Sequence, residues 1–256
     1  MVMKRSIFLT IILSFLISGL GNSQTWKMKR YEVEAGAGGS FYMGDIGSVT
    51  PSENIAGFKD VVFSSTRPVI HLGFRYKILE RFWVKLNANY GWLYGDDSNY
   101  GSNQERGLVF STPIFEITGQ AEYAFIKDKS ADNYLMMRGK GIMSFSSNIS
   151  FYGFAGIGPA FFWPKVIDDP NNRAESDFST VAIAFPIGLG LKYGLTPDWK
   201  IGFEIGGRFT TTDYLDAFTS EWSKYNDNYF FATFHAIYNL DVSRKGWPTI
   251  RRRFGN

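Results

Sequence analysis

The 256 residues contain two histidines, His71 and His235, and no cysteine. Acid–base or nucleophilic chemistry at neutral pH would normally draw on a histidine set beside a serine and an acid. Both histidines fall near the middle of segments that read as strands, where an imidazole satisfied by interior hydrogen bonds is the expected role. Asp45, and Asp213 with Asp216, would attract a cation at a loop. Carboxylates next to Gly and Thr are commonly turn formers, so no metal is assigned. Gly-rich GIGPA (156–160) and GLGLKYG (188–194) are followed by nothing like a phosphate-binding helix. Close backbone packing, or room for bulky interior side chains, accounts for them better, and no cofactor is expected.

The elements that would position these residues are strands. In RFWVKLNANYGWLYG, residues 81–95, Phe82, Val84, Leu86, Ala88, Tyr90, Trp92 and Tyr94 alternate with polar residues such as Lys85, Asn87 and Asn89. A period of two makes a strand with one oily and one polar face. The same alternation recurs at 31–42, 68–77, 109–126, 148–162, 178–193, 198–211 and 229–242, least cleanly between 148 and 162. Eight strands of this length exceed those usual in soluble domains, whereas a tilted membrane strand needs about 9–11 residues. Connectors at 78–80 and 195–197 are short, while those after the first, third, fifth and seventh strands are long and polar. That layout fits an all-β, eight-stranded antiparallel up-and-down transmembrane barrel with both termini in the periplasm. The exception is 127–147, a long connector on the short-turn side.

Residues 1–23 read as a secretory signal peptide, with Lys4 and Arg5 ahead of an apolar core from Ile7 to Leu20. Residues 24–242 are then the barrel and 243–256 a basic periplasmic tail. Removing Lys4 and Arg5 from the 27 basic residues leaves 25 against 24 acidic ones, which gives nucleic-acid binding no support.

The polar faces collect Glu32, Glu34, His71, Arg75, Lys85, Glu116, Glu122, Lys192, Lys200, Glu204, Arg208, His235 and Asp241. Such a set is too charged for a protein core unless paired. In an eight-stranded barrel it would fill the lumen, because the interior is only wide enough for side chains. A lipocalin-like soluble barrel predicts the same alternation with the faces swapped. Tyr31, Tyr76, Tyr90, Trp92, Tyr94, Tyr123, Tyr193, Trp199 and Tyr238 favour the membrane, since they gather toward strand ends on the oily face as interfacial girdles do. Pro113, Pro159 and Pro186 fall inside strands and are candidate bulge sites.

GLVFSTPIFEITGQAEYAFI (107–126), SFYGFAGIGPAFFWPK (150–165) and AIAFPIGLGLKYGLTPDWKIGFEIGGRFTTTDYLDAF (182–218), with FYMGDIG at 41–47, together resemble the PorG-like family of small outer-membrane β-barrels. That family is associated with the type IX secretion system of Bacteroidetes. The most specific element is Thr212-Asp213-Tyr214-Leu215-Asp216, a candidate outer loop motif; Ala217 stands where an acidic residue is expected. The resemblance implies a non-enzymatic outer-membrane component that contacts periplasmic ring proteins of the secretion apparatus, with outer-membrane lipid around it and no small-molecule substrate.

Charge layout adds to this. Loops 164–177 and 213–227 are net acidic, whereas the tail carries Arg244, Lys245, Arg251, Arg252 and Arg253, and 127–140 carries Lys127, Lys129, Arg138 and Lys140. A basic periplasmic end would steer an acidic partner or bind lipid phosphate. Two other readings remain open at this point: a lipid-modifying enzyme with its histidine at the barrel rim, and a small pore or surface binding protein.

Overall fold

The structure, a computed structural model, describes residues 29–43, 46, 65–97, 107–127, 148–170, 178–196, 198–218, 226–243 and 246–249. The expected signal peptide, residues 1–23, and most of the 127–147 connector lie outside these residues. The strands are β1 (Tyr31–Met43), β2 (Arg67–Leu79), β3 (Phe82–Asp96), β4 (Val109–Ile126), β5 (Ile149–Phe162), β6 (Lys165–Asp168), β7 (Val181–Gly194), β8 (Trp199–Thr210), β9 (Asn228–Val242) and β10 (Pro248–Thr249). Eight long strands pair antiparallel in the order β1-β2-β3-β4-β5-β7-β8-β9, and β9 returns to β1. Closure is complete along the seam, from Tyr31 opposite Leu240 to Met43 opposite Asn228, so the sheet has no free edge there.

The two short strands are appendages. β6 prolongs β5 along the same partner after Trp163-Pro164, with Phe162 opposite Ile114 and Lys165 opposite Ser111. β10 folds back on the end of β9, Pro248 opposite Val242 and Thr249 opposite Asp241. Its turn closes through Ser243 N–H to Trp247 O and Gly246 N–H to Ser243 O, both 2.8 Å. Part of the tail is therefore a hairpin, not a free extension of the barrel.

Strand alternation decides which side is which. Glu32, Glu34, His71, Arg75, Lys85, Asn87 and Asn89 point inward and are buried, while their neighbours Val33, Leu72, Phe74, Val84 and Leu86 stand exposed on the outside. Leu72 is 56% exposed and Arg75 0%. A soluble barrel would reverse these values, so the outer wall is a lipid-facing surface and the chain is a membrane-spanning barrel. Tyr31, Tyr76, Tyr123, Tyr193, Trp199 and Tyr238 ring the end where β1 begins and β9 ends. Tyr31 and Tyr76 lie 5.1 Å apart between ring centroids, and Trp199 and Tyr238 4.9 Å. Tyr90 and Trp92, 5.0 Å apart, belong to the opposite belt.

Two expectations need correcting. The strand prolines are not bulges: Pro113 faces Trp92 in unbroken register, and the pairing around Pro159 and Pro186 resumes unshifted, Ala155 opposite Ile187 and Gly158 opposite Ala184. Proline removes a donor, whereas a bulge needs an extra residue. The register instead shifts at Lys77/Leu79, Val109/Phe110 and Ala124/Ile126, near strand ends. Nor is the interior charged throughout. Toward the end where β1 ends and β9 begins it is an apolar cluster of Val69, Leu93, Phe110, Ile114, Phe162 and Phe231 with loop residues Leu215 and Phe218.

The polarity is testable on the wall. Leu72→Arg and Leu86→Arg, both mid-strand, should each lower the unfolding free energy from lipid vesicles by about 2–4 kcal/mol. A neutral result for both would mean that this face meets water.

Candidate functional site: the charged lumen and its outer cap

Below the apolar cluster, Arg75 on β2 is the hub. Its Nε donates to Glu122 Oε1 at 2.8 Å and its Nη2 to the Tyr152 hydroxyl at 3.0 Å. The same guanidinium also meets Glu34 and Glu204, and Glu32 Oε2 stands 3.9 Å from Nη1. Lys85 on β3 runs alongside, its Nζ donating to Glu204 at 2.6 and 2.7 Å and lying 2.9 Å from Glu34 Oε1. Lys192 Nζ reaches Glu122 at 3.3 Å and Glu32 at 3.5 Å, and Lys200 donates to Glu32 Oε1 at 2.9 Å. Five inward carboxylates, Glu32, Glu34, Glu116, Glu122 and Glu204, thus meet Arg75, Lys85, Lys192, Lys200 and Arg208, all buried, and Lys77 is a further buried cation on the inward face of β2. Every polar-face residue expected in the lumen is there except Asp241, which sits half-buried near the end of β9.

The histidines flank the hub. His71 Nδ1 lies 2.6 Å from Asn89 Oδ1 and Nε2 2.8 Å from Glu34 Oε1. His235 Nε2 lies 2.7 Å from Thr233 Oγ1. The two imidazole rings are 4.3 Å apart between centroids. One layer higher, Asn89 and Tyr229 both donate to Glu116, at 2.9 and 2.7 Å, and Arg208 Nε stands 3.5 Å from it.

Glycine makes space for this packing. The Tyr152 ring fills the place that a Cβ on Gly190 would take, and Phe154 does the same at Gly188 and Gly206. The alternate glycines of GLGLKYG are therefore seats for β5 aromatics. Tyr152 and Tyr229 belong to the network although sequence reading did not select them; only their parity with Phe154 and His235 marks them as inward.

The outer loop motif is placed otherwise than expected. Leu215 and Asp216 are buried in the barrel mouth, not displayed above it, whereas Asp213 and Tyr214 are half-buried. Thr112 Oγ1 donates to Leu215 O at 2.6 Å, and Leu215 N–H donates to Asp227 at 3.0 Å. Tyr42 OH lies 2.9 Å from Asp216 Oδ2 and 2.6 Å from Asp227 Oδ1. The turn closes with Ala217 at φ 58°, a left-handed conformation that costs an alanine roughly 1–2 kcal/mol. The physical reason for the inward course is that Leu215 and Phe218 complete the apolar cluster. Tyr42 has one proton for two carboxylates. Burial, then the charges of Asp216 and Asp213, push Asp227 well above the usual aspartate range.

The family model for a domain of unknown function, DUF6089, matches residues 6–241. The chain belongs to the DUF6089 family. None of the curated proteins compared by sequence matches it. Among solved structures, this DUF6089 chain is similar to Neisserial surface protein A, at 12% identity and a TM-score of 0.46, over 82% of this chain and 97% of that one. It is also similar to Ail, the attachment invasion locus protein of Yersinia pestis, at 11% identity, TM-score 0.42, over 82% and 97%. OprG from Pseudomonas aeruginosa gives 11% identity, TM-score 0.39, over 82% and 94%. Likeness at this level says nothing about what a DUF6089 barrel binds.

Two outcomes follow for the DUF6089 lumen and cap. Arg75→Met should destabilise the barrel by about 3–5 kcal/mol in denaturant titrations, because it strands several buried carboxylates. Adding Glu122→Gln and Glu204→Gln should recover part of the loss. At the cap, a raised aspartate pKa contributes stability that is complete in acid and lost as pH rises through the folded value. Amide exchange at Leu215 and Phe218, corrected for intrinsic rates, should therefore speed up with rising pH, and Asp227→Asn should abolish that dependence.

Proposed function

We propose that the chain is a non-enzymatic outer-membrane component of the type IX secretion system that anchors or docks periplasmic ring proteins. The observation that carries this reading is the sealed interior. A lumen packed with paired charges below an apolar cluster, and entered from outside by Leu215 to Phe218, works through the surfaces it presents. The PorG-like sequence segments supply the system, and the charge asymmetry supplies a side. With the termini taken as periplasmic, the acidic segments 164–177 and 213–227 belong to the outer end, and basic residues gather in the sequence where the chain terminates. Arg244, Lys245, Arg251, Arg252 and Arg253 lie outside the described residues. They flank β10, which is fastened to the barrel by β9 and by the Tyr31 hydroxyl donating to Gly246 O at 3.1 Å. A basic segment suits an acidic periplasmic partner.

The rim-enzyme reading fits less well. His71 and His235 lie inside the lumen, hydrogen-bonded to Asn89, Glu34 and Thr233, away from either rim. A pore reading would require the Arg75 network to open.

Removal of residues 250–256 spares β10 and should leave membrane insertion unchanged. Recovery of periplasmic ring proteins in pull-downs from detergent-solubilised outer membranes should fall several-fold. Undiminished co-purification would contradict docking through the tail, and absence of ring proteins from the full-length pull-down would contradict the secretion role altogether.

A further inference from the structure

We propose that Glu34, His71 and His235 form a site for one late first-row divalent metal ion inside the barrel, fastening the first strand to its two neighbours across the closure. Their ligand atoms all lie within 4.8 Å of one another. The three residues come from β1, β2 and β9, and the strand register explains the convergence. Gly36 is the cross-strand partner of His71 on one side and of His235 on the other. With no side chain between them, the two imidazoles approach to 4.3 Å, and Glu34, next on the same face of β1, reaches His71 Nε2 at 2.8 Å and His235 Nδ1 at 3.7 Å.

The hydrogen bonds around the imidazoles resemble the outer sphere of a metal site. A metal-bound histidine usually has its second nitrogen held by a polar neighbour, which fixes the tautomer and aims the ligating nitrogen. Asn89 holds His71 Nδ1: its own amide nitrogen donates to Glu116, so its Oδ1 accepts from the ring, leaving Nε2 facing Glu34 at 2.8 Å. Thr233 holds His235 at Nε2, leaving Nδ1 turned toward Glu34 Oε2 at 3.7 Å. That nitrogen is buried and makes no hydrogen bond, the second observation pointing to a missing ligand. The space between Nε2 and the carboxylate must take a proton or a metal ion.

Two features define the ion. Imidazole and carboxylate donors suit Zn²⁺, Ni²⁺ or Cu²⁺ over Mg²⁺ or Ca²⁺. Bond lengths of about 2 Å mean that the widest donor pair must close by roughly 1–1.5 Å on loading. Glu34 also faces Arg75 and Lys85, which oppose a cation. Both retain Glu122 and Glu204 as partners when Glu34 is diverted. The five lumen glutamates already share the interior with six buried cations, Lys77 among them, so the ion brings excess charge. A hydroxide or chloride in the open fourth position offsets part of it.

The test uses the full mature chain folded in detergent, stripped with a chelator and titrated with CoCl2 at pH 8. One equivalent should bind, giving visible d–d absorption that ZnCl2 displaces. His71→Gln and His235→Gln should each abolish the band while keeping the β-sheet circular dichroism, and Asp213→Asn should leave it unchanged. Because a variant could fail to fold, X-ray absorption of the cobalt-loaded unmodified protein gives an independent reading. It should show two imidazole nitrogens, and these two histidines are the only ones in the chain. No stoichiometric cobalt uptake, or fewer than two imidazole ligands, overturns the proposal and leaves the cluster a proton-bridged pair.

Discussion

A guanidinium with no exposed atom needs carboxylates on several sides at once, and Arg75 finds them on β1, β4 and β8. That requirement constrains the whole barrel. The three carboxylates belong to strands that are not neighbours of one another, so the hub is complete only when the sheet is closed. Burying these ions in an uncompensated interior would be prohibitive, and even a paired set gains little over an apolar core. What the network adds is a unique register. A one-residue slip in any strand would turn its charged members toward lipid and its leucines toward the hub.

The sealed interior follows from the same pairing. Lys85, Lys192 and Lys200 each bind across the lumen, and Tyr152 extends the hub through its hydroxyl to Glu204 at 2.6 Å. Above this layer the apolar cluster draws in Leu215 and Phe218, so the motif that in the sequence resembles a displayed outer loop becomes part of the core. Among the described residues, the surfaces left to partners are then the lipid-facing wall and the two rims.

The sequence made the eight strands and the polar set legible because both depend on period-two alternation, and Glu32, Glu34, Arg75, Lys85 and Glu204 could hardly be placed anywhere but inside. Three parts were not legible. Tyr152, Tyr229 and Tyr42 have an apolar look and an interior hydrogen bond, and only strand parity distinguishes them from girdle tyrosines. The inward course of 213–218 depends on Val69, Leu93 and Phe110 forming an apolar floor, which requires knowing that these three share the lumen. The meeting of His71 with His235 depends on closure of β9 onto β1, since the two are far apart in sequence and are brought together through Gly36. Local pattern fixes a residue's face; depth and cross-barrel neighbours need the closed register.

Ionic side chains facing inward and aliphatic ones facing acyl chains define the barrel. Because the chain has no cysteine, single cysteines can be introduced for nitroxide labels without background. Power-saturation measurements in lipid bilayers at positions 72, 86, 187 and 205 test the polarity most directly. High accessibility to oxygen and low accessibility to a water-soluble nickel chelate at all four is the predicted result. Ready access of the nickel chelate to them would show the wall facing water and contradict the inside-out barrel.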